Sequence, residues 1–192
     1  GENIGNSQRS KNLIETIPYH DNFMLIVISG PPASGKSTIA QLLAQKFSKS
    51  VLLSKDFIFH LVRGGHFDPW KETVAAKKQF ALNNSVMRYI IKTYLSAGYT
   101  VIVEGIFENK QLAELSKAAN NIRAFRLVPS LAALKSRDRG RSLHKQIPHR
   151  LKPLHDLMKS DKGSNFYKID NTGFTVNQTL NLIYSQLHEN SR

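Results

Sequence analysis

The stretch Gly30-Pro31-Pro32-Ala33-Ser34-Gly35-Lys36-Ser37 obeys the spacing G-x-x-x-x-G-K-[ST]. An apolar run, Phe23 to Ile28, precedes it, and an amphipathic one, Thr38 to Phe47, follows. Between a strand and a helix this pattern makes a phosphate-binding loop. Its glycines let the backbone curl until successive N–H groups converge, and the new helix adds its positive dipole end. Lys36 is then placed to reach the β- and γ-phosphates of a nucleoside triphosphate, ATP or GTP. Ser37 is placed to ligate Mg²⁺, and Thr38 lies near the α-phosphate. The competing reading is a glycine-rich strand-to-helix turn with no ligand.

Two carboxylates follow strand-like runs. Asp56 comes after Ser50 to Ser54, and Glu104-Gly105 after Tyr99 to Val103. Parallel α/β sheets bind ligands beyond the carboxyl ends of their strands. Asp56 there can take the proton of an attacking hydroxyl or hold a Mg²⁺-bound water, while its plain structural role is to cap the next helix. Glu104 can orient Mg²⁺-bound water, bind an acceptor hydroxyl, or be a solvated strand-end carboxylate.

A third group is cationic: Arg137-Asp138-Arg139-Gly140-Arg141, then His144, Lys145, His149, Arg150 and Lys152. Guanidinium forks stabilise the charge that phosphoryl transfer spreads over the transferring group. On a helical turn Arg137 and Arg141 share one face, and Gly140 offers a hinge for closing residues 137–152 over a nucleotide. A solvated basic face or a nucleic-acid contact is the alternative. Arg63 is a candidate contact for an acceptor phosphate, and His66, Phe67 and Trp70 are candidates to line an acceptor pocket, although Trp70 can equally be a loop anchor.

The elements that must position these groups alternate along the chain. Strands are predicted at Phe23 to Ser29, Ser50 to Ser54, Tyr99 to Val103, Ile122 to Val128 and Asn165 to Asp170. Helices are predicted at Thr38 to Phe47, Lys71 to Ala97 (with Val74, Phe80, Val86, Ile90 and Tyr94 among its apolar positions), Asn109 to Ala119, Pro129 to Arg137, His149 to Lys159 and Thr175 to Leu187. Gly98 stands where a helix-ending glycine belongs. Strand–helix alternation over this length means an α/β fold with a parallel sheet covered on both faces. Residues 1–20 read as a polar N-terminal extension, with a short helix around Leu13, Ile14 and Ile17, and 21–192 as a single domain.

The chain has 27 Lys+Arg against 14 Asp+Glu, a formal charge of +13 that favours polyanionic ligands. It contains no cysteine, which removes disulfide and thiolate chemistry, and its seven histidines form no zinc-ligand spacing. Without a span-length apolar run or a signal peptide, a cytoplasmic protein is expected.

Taken together, the loop Gly30-x4-Gly35-Lys36-Ser37-Thr38, Asp56, Val103-Glu104-Gly105 and Arg137-x3-Arg141 resemble the small P-loop kinase group over roughly residues 22–188. That group includes chloramphenicol phosphotransferase, zeta toxin, gluconate kinase and polynucleotide kinase. The resemblance implies a three-layer sandwich around a five-stranded sheet of order 2-3-1-4-5, with an arginine-bearing lid. It also implies that Asp56 is the acceptor-side base and that Ile169-Asp170-Asn171-Thr172 lies near the adenine. Polynucleotide kinases tend to carry an arginine three residues beyond that aspartate, where this chain has Phe59. The leading expectation is an ATP- and Mg²⁺-dependent kinase acting on a small-molecule hydroxyl. The alternatives are a 5′-hydroxyl kinase of DNA or RNA and a non-catalytic nucleotide-binding switch.

Overall fold

Leu25–Ser29 forms the first strand, β1, and none of its side chains reaches solvent. Leu25 and Val27 enter one hydrophobic cluster, and Ile26 and Ile28 enter another. Successive strand residues point to opposite faces, so an unbroken apolar run requires a helical layer on each side. The computed structural model describes residues 23–67, 72–161 and 165–189. The proposed helix at Leu13 to Ile17, the rest of the extension 1–20, and Trp70 lie outside the described residues.

The described residues continue as α1 (Lys36–Ala44), β2 (Ser50–Ser54), α2 (Lys55–Phe59), α3 (Val74–Ser96), β3 (Thr100–Gly105), α4 (Asn109–Ser116) and β4 (Ile122–Leu127). Then come α5 (Leu131–Arg139), a 3-10 turn (Leu143–Lys145), α6 (Pro148–Ser160), β5 (Tyr167–Ile169) and α7 (Val176–Glu189). All five strands run parallel in the order β2-β3-β1-β4-β5. On one face Ile39, Ala40 and Leu43 of α1 and Leu180, Ile183 and Leu187 of α7 cover the sheet. On the other, Ile58, Met87, Ile91, Leu112 and Leu115 bring in α2, α3 and α4. No described helix is long and apolar enough to cross a membrane.

Of the apolar positions expected on the long helix, Val86 and Ile90 pack against the core and Phe80 packs against Phe59. Ala76, Asn83, Met87 and Ile91 are the helix's buried positions, whereas Val74 is 70% exposed and Tyr94 39%. A small alanine and a polar asparagine on the inner face disguise the stripe. Gly98 follows the helix with φ +79°, the left-handed conformation that ends helices on glycine.

Arg126 is the largest fully buried side chain, in the middle of a hydrophobic sheet. It ion-pairs with Asp161 just beyond α6, donates to the Phe107 carbonyl at 3.0 Å and stacks 4.0 Å from the Phe166 ring. Asn109 also donates to Asp161, at 2.7 Å. A buried ion left without its partner is strongly destabilising, whereas replacing the whole pair by apolar groups is often neutral. Asp161→Ala is therefore expected to lower stability in urea denaturation by about 2–4 kcal/mol, and Arg126→Met with Asp161→Ala to recover much of that loss. Equal losses in the single and double variants would show that the pairing is not what stabilises this corner.

Candidate active site

Gly30 carries the chain out of β1. A Cβ there would meet Ser34 Oγ at 2.5 Å and the Leu127 carbonyl oxygen at 2.8 Å, so the loop can pass this close to the end of β4 only on glycine. Pro31 and Pro32 are buried, and Ser34 N–H closes a turn onto the Pro31 carbonyl at 3.2 Å. Ala33 (φ 62°) and Gly35 (φ 94°) take left-handed conformations, which turn successive N–H groups into a concave nest. Gly35 is also the N-cap of α1 and supplies no side-chain cap, so the helix's first N–H groups are left for an anion. The helix begins at Lys36, two residues before the expected start.

Lys36 folds back over the loop, its Nζ donating to the Pro31 carbonyl at 3.4 Å. Burial pushes its pKa below the ordinary lysine value. Glu104 and Asp56 pull it back up, and Arg141 pushes it down. These influences place Lys36, Glu104, Asp56 and Arg141 in one electrostatic neighbourhood. Ser37 Oγ donates to Glu104 Oε2 at 3.0 Å. Glu104 is only 6% exposed, which rules out the solvated strand-end reading.

Asp56 is exposed in the first turn of α2. The N-cap is Ser54, whose side chain accepts the Phe57 N–H at 3.4 Å. Capping is thus not the role of Asp56, and its carboxylate is free of that duty. Phe59 points inward, 5.3 Å from Phe80 by ring centroids. Arg63 and His66 are exposed in the loop after α2, with His60 stacked on His66 at 5.7 Å.

The two arginines diverge. Helix α5 stops at Arg139, so Arg137 and Arg141 do not share a helical face as expected. Arg137 donates to the carbonyls of Asn171 at 2.9 Å and Thr172 at 3.4 Å. Arg141 pairs with Asp138 at 3.0 Å, and the other oxygen of the buried Asp138 accepts the Ile147 N–H at 3.2 Å. Gly140 has ordinary right-handed angles, φ −77° and ψ −5°, so its conformation does not require glycine. Asn171 is 4% exposed and donates to the Ser34 carbonyl at 3.1 Å, stitching the β5–α7 loop to the phosphate loop. Thr38 is exposed one residue into α1 from Ser37.

Lys55 was not anticipated. It is 7% exposed, donates to the Ile106 carbonyl and, at 3.0 Å, to Gln111 Oε1, and lies over the rings of Phe107, Phe80 and Phe59. Its environment comes from four separate segments, and no local pattern foreshadows it.

A family model described as AAA domain matches residues 25–159. The chain belongs to this P-loop kinase-like family. No curated protein sequence matches it significantly. Among solved structures it is similar to an unliganded sugar kinase from Janibacter sp. HTCC2649, with 14% identity over 87% of this chain and 95% of that one and a TM-score of 0.70. Shikimate kinase from Acinetobacter baumannii, in complex with shikimate, aligns at 16% identity over 89% and 96%, with a TM-score of 0.61. Thymidylate kinase from Candida albicans aligns at 18% over 88% and 92%, with a TM-score of 0.58. At such identities the likeness establishes the fold, a five-stranded P-loop kinase sheet flanked by helices.

Burial lowers the Lys55 pKa from 10.5 to about 8, against the upward pull of Asp56 and Glu108. Between those values the unfolded chain holds a proton at this site that the native chain has released, so stability rises with pH across the window. Below about pH 8 both states are protonated and the burial penalty is felt in full. Relative to Lys55→Met, the unaltered protein is expected to gain roughly 2–3 kcal/mol between pH 7.5 and pH 10, read as urea unfolding free energy. Parallel pH profiles for the two proteins would refute this.

Proposed function

We propose that this chain is an ATP-dependent kinase that moves the γ-phosphoryl group to a hydroxyl of a small-molecule acceptor. The observation that carries the reading is an exposed carboxylate, Asp56, released from capping by Ser54 and acting electrostatically on the phosphate-loop Lys36. A simple nucleotide-binding switch has no need of such a group.

In this reading the nest from Gly30 to Ser37 binds the β- and γ-phosphates through backbone N–H groups, and Lys36 neutralises their charge. Binding a triphosphate favours the charged form of Lys36, which burial alone disfavours. Asp56 orients the acceptor hydroxyl in line with the γ-phosphorus and accepts its proton as the new O–P bond forms and the bond to the departing ADP breaks. Arg141, whose charge is felt at Lys36, would stabilise the spread charge on leaving Asp138, and Arg137, held on the Asn171 and Thr172 carbonyls, would border the base. Residues 137–152 then act as the lid. Ser37 and Glu104 offer hard oxygen donors of the kind Mg²⁺ takes. The hydroxyl proton of Ser37 is engaged by Glu104, which leaves its lone pairs to a cation. When bound, Mg²⁺ supplies charge neutralisation at the phosphates.

A second reading, a 5′-hydroxyl kinase of nucleic acid, is favoured by the +13 charge. The buried Phe59 tells against it, since an inward aromatic stands where an arginine contact is expected.

The test is ATP consumption against panels of sugars, nucleosides, antibiotics and oligonucleotides, with Asp56→Asn beside the unaltered protein. The variant is expected to bind ATP normally and to keep its thermal stability, but to transfer about 10²–10⁴-fold more slowly. Undiminished transfer would remove Asp56 from the mechanism. Phosphorylation of oligonucleotide 5′ ends alone would favour the second reading.

A further inference from the structure

Side chains from three neighbouring strand ends converge on the turn between β3 and α4. Ser29, at the end of β1, exchanges two hydrogen bonds of 3.1 Å with the backbone of Phe107, and Arg126 of β4 donates to the same carbonyl. Both come from strands paired within the sheet interior. The third tie, Lys55, differs. Strand β2 is an edge strand whose ladder with β3 ends at Ser54 opposite Glu104, and the chain departs into α2 at the next residue. The Lys55 ammonium carries the connection past the end of that ladder, to the Ile106 carbonyl and to Gln111 Oε1. Gln111 is itself held, because the same Oε1 accepts the Glu108 N–H at 3.2 Å in the capping box of α4.

The cage around this ammonium is apolar. Its nitrogen lies 4.7 Å from the Phe107 ring centroid, 5.3 Å from that of Phe80 and 6.0 Å from that of Phe59. The carboxylates that act on it are Asp56 on its own helix and Glu108 on α4. A Cβ on Gly105 would meet Lys55 Cβ at 2.6 Å, so the lysine stem lies directly against the β3 backbone beside Glu104. A methionine would fill such a cage as well as a lysine and without desolvating a charge. What the ammonium adds is directed bonding to two oxygens on another element.

We propose that Lys55 is a positioning residue that braces α2 against the β3–α4 turn and so holds Asp56 in register with Glu104 and Lys36. The inference rests on the kinase reading above for the role of Asp56, but the brace itself is a physical claim with its own readout. Two variants attack it from opposite sides: Lys55→Met removes the bonds and keeps the volume, and Gly105→Ala displaces the stem. Hydrogen exchange of the intact variants is expected to quicken roughly tenfold or more at residues 55–60 and 105–111, as loss of charge-assisted bonds implies. ADP affinity should stay within about twofold, since the phosphate loop is untouched, while kcat for MgATP consumption with water as acceptor falls about 10–100-fold at unchanged KM. Combined with Asp56→Asn, Lys55→Met should add little further loss, because both act through the same carboxylate.

Unchanged exchange at residues 55–60 would overturn the brace whatever the activity. Faster exchange with normal turnover, or losses that multiply with those of Asp56→Asn, would overturn the positioning role. An unaltered protein that consumes no ATP with water or with any acceptor of the panel above would defeat the kinase reading and the role in transfer together, leaving the exchange map to decide the brace alone.

Discussion

Every side chain of β1 from Leu25 to Ser29 is buried, and much of the architecture depends on satisfying both of its faces at once. Ile26 and Ile28 draw α1 and α7 onto one side, and Leu25 and Val27 meet the α2–α4 side. A strand enclosed in this way must also be flanked within the sheet, and β3 and β4 supply its backbone partners. The exit from β1 is correspondingly narrow. The chain leaves between two strand ends, against Leu127, where only Gly30 fits. The phosphate loop therefore owes its position to hydrophobic burial and its conformation to two left-handed residues, Ala33 and Gly35.

The charge of the whole chain and the charge of the site are different matters. Overall the protein is strongly cationic, yet around Lys36 two carboxylates oppose two cations. Glu104 is buried and satisfied by the Ser37 hydroxyl, whereas Asp56 is exposed. Burial discourages the Lys36 ammonium, and Glu104 and Asp56 maintain it. The phosphate-loop cation therefore stands with one buried carboxylate and one exposed carboxylate acting on it.

Two buried cations hold the elements around that site, by different physics. Arg126 has a carboxylate partner in Asp161 and an aromatic face in Phe166, so its charge is compensated. Lys55 is held by aromatic faces, a carbonyl and an amide oxygen, and its burial lowers its pKa against the upward pull of Asp56 and Glu108. Both reach the turn around Phe107, which joins the strand carrying Glu104 to α4. That turn is bonded from β1, from β4 and from the start of α2, so side chains extend the connections between these elements beyond the last rungs of the sheet ladder.

Much of this was legible in the residues themselves. The parallel sheet and the phosphate loop follow from apolar runs, periodicity and one dense motif, because these are local signals: burial on both faces forces continuous hydrophobicity, and a nest needs residues of fixed type at fixed spacing. The strand order is not local and came only through the resemblance to small P-loop kinases. The inner face of α3 is legible only in part: Phe80, Val86 and Ile90 mark its side, but Ala76 and Asn83 at its centre carry little hydrophobic signal. Whether Asp56 caps a helix, whether Glu104 meets solvent, and where Arg137 and Arg141 point depended on contacts between distant segments. Lys55 is the clearest case. In the chain it is a polar residue before an aspartate, and only the meeting of Phe59, Phe80, Phe107, Ile106 and Gln111 makes it a buried cation, because burial and partnership are properties of the packed whole.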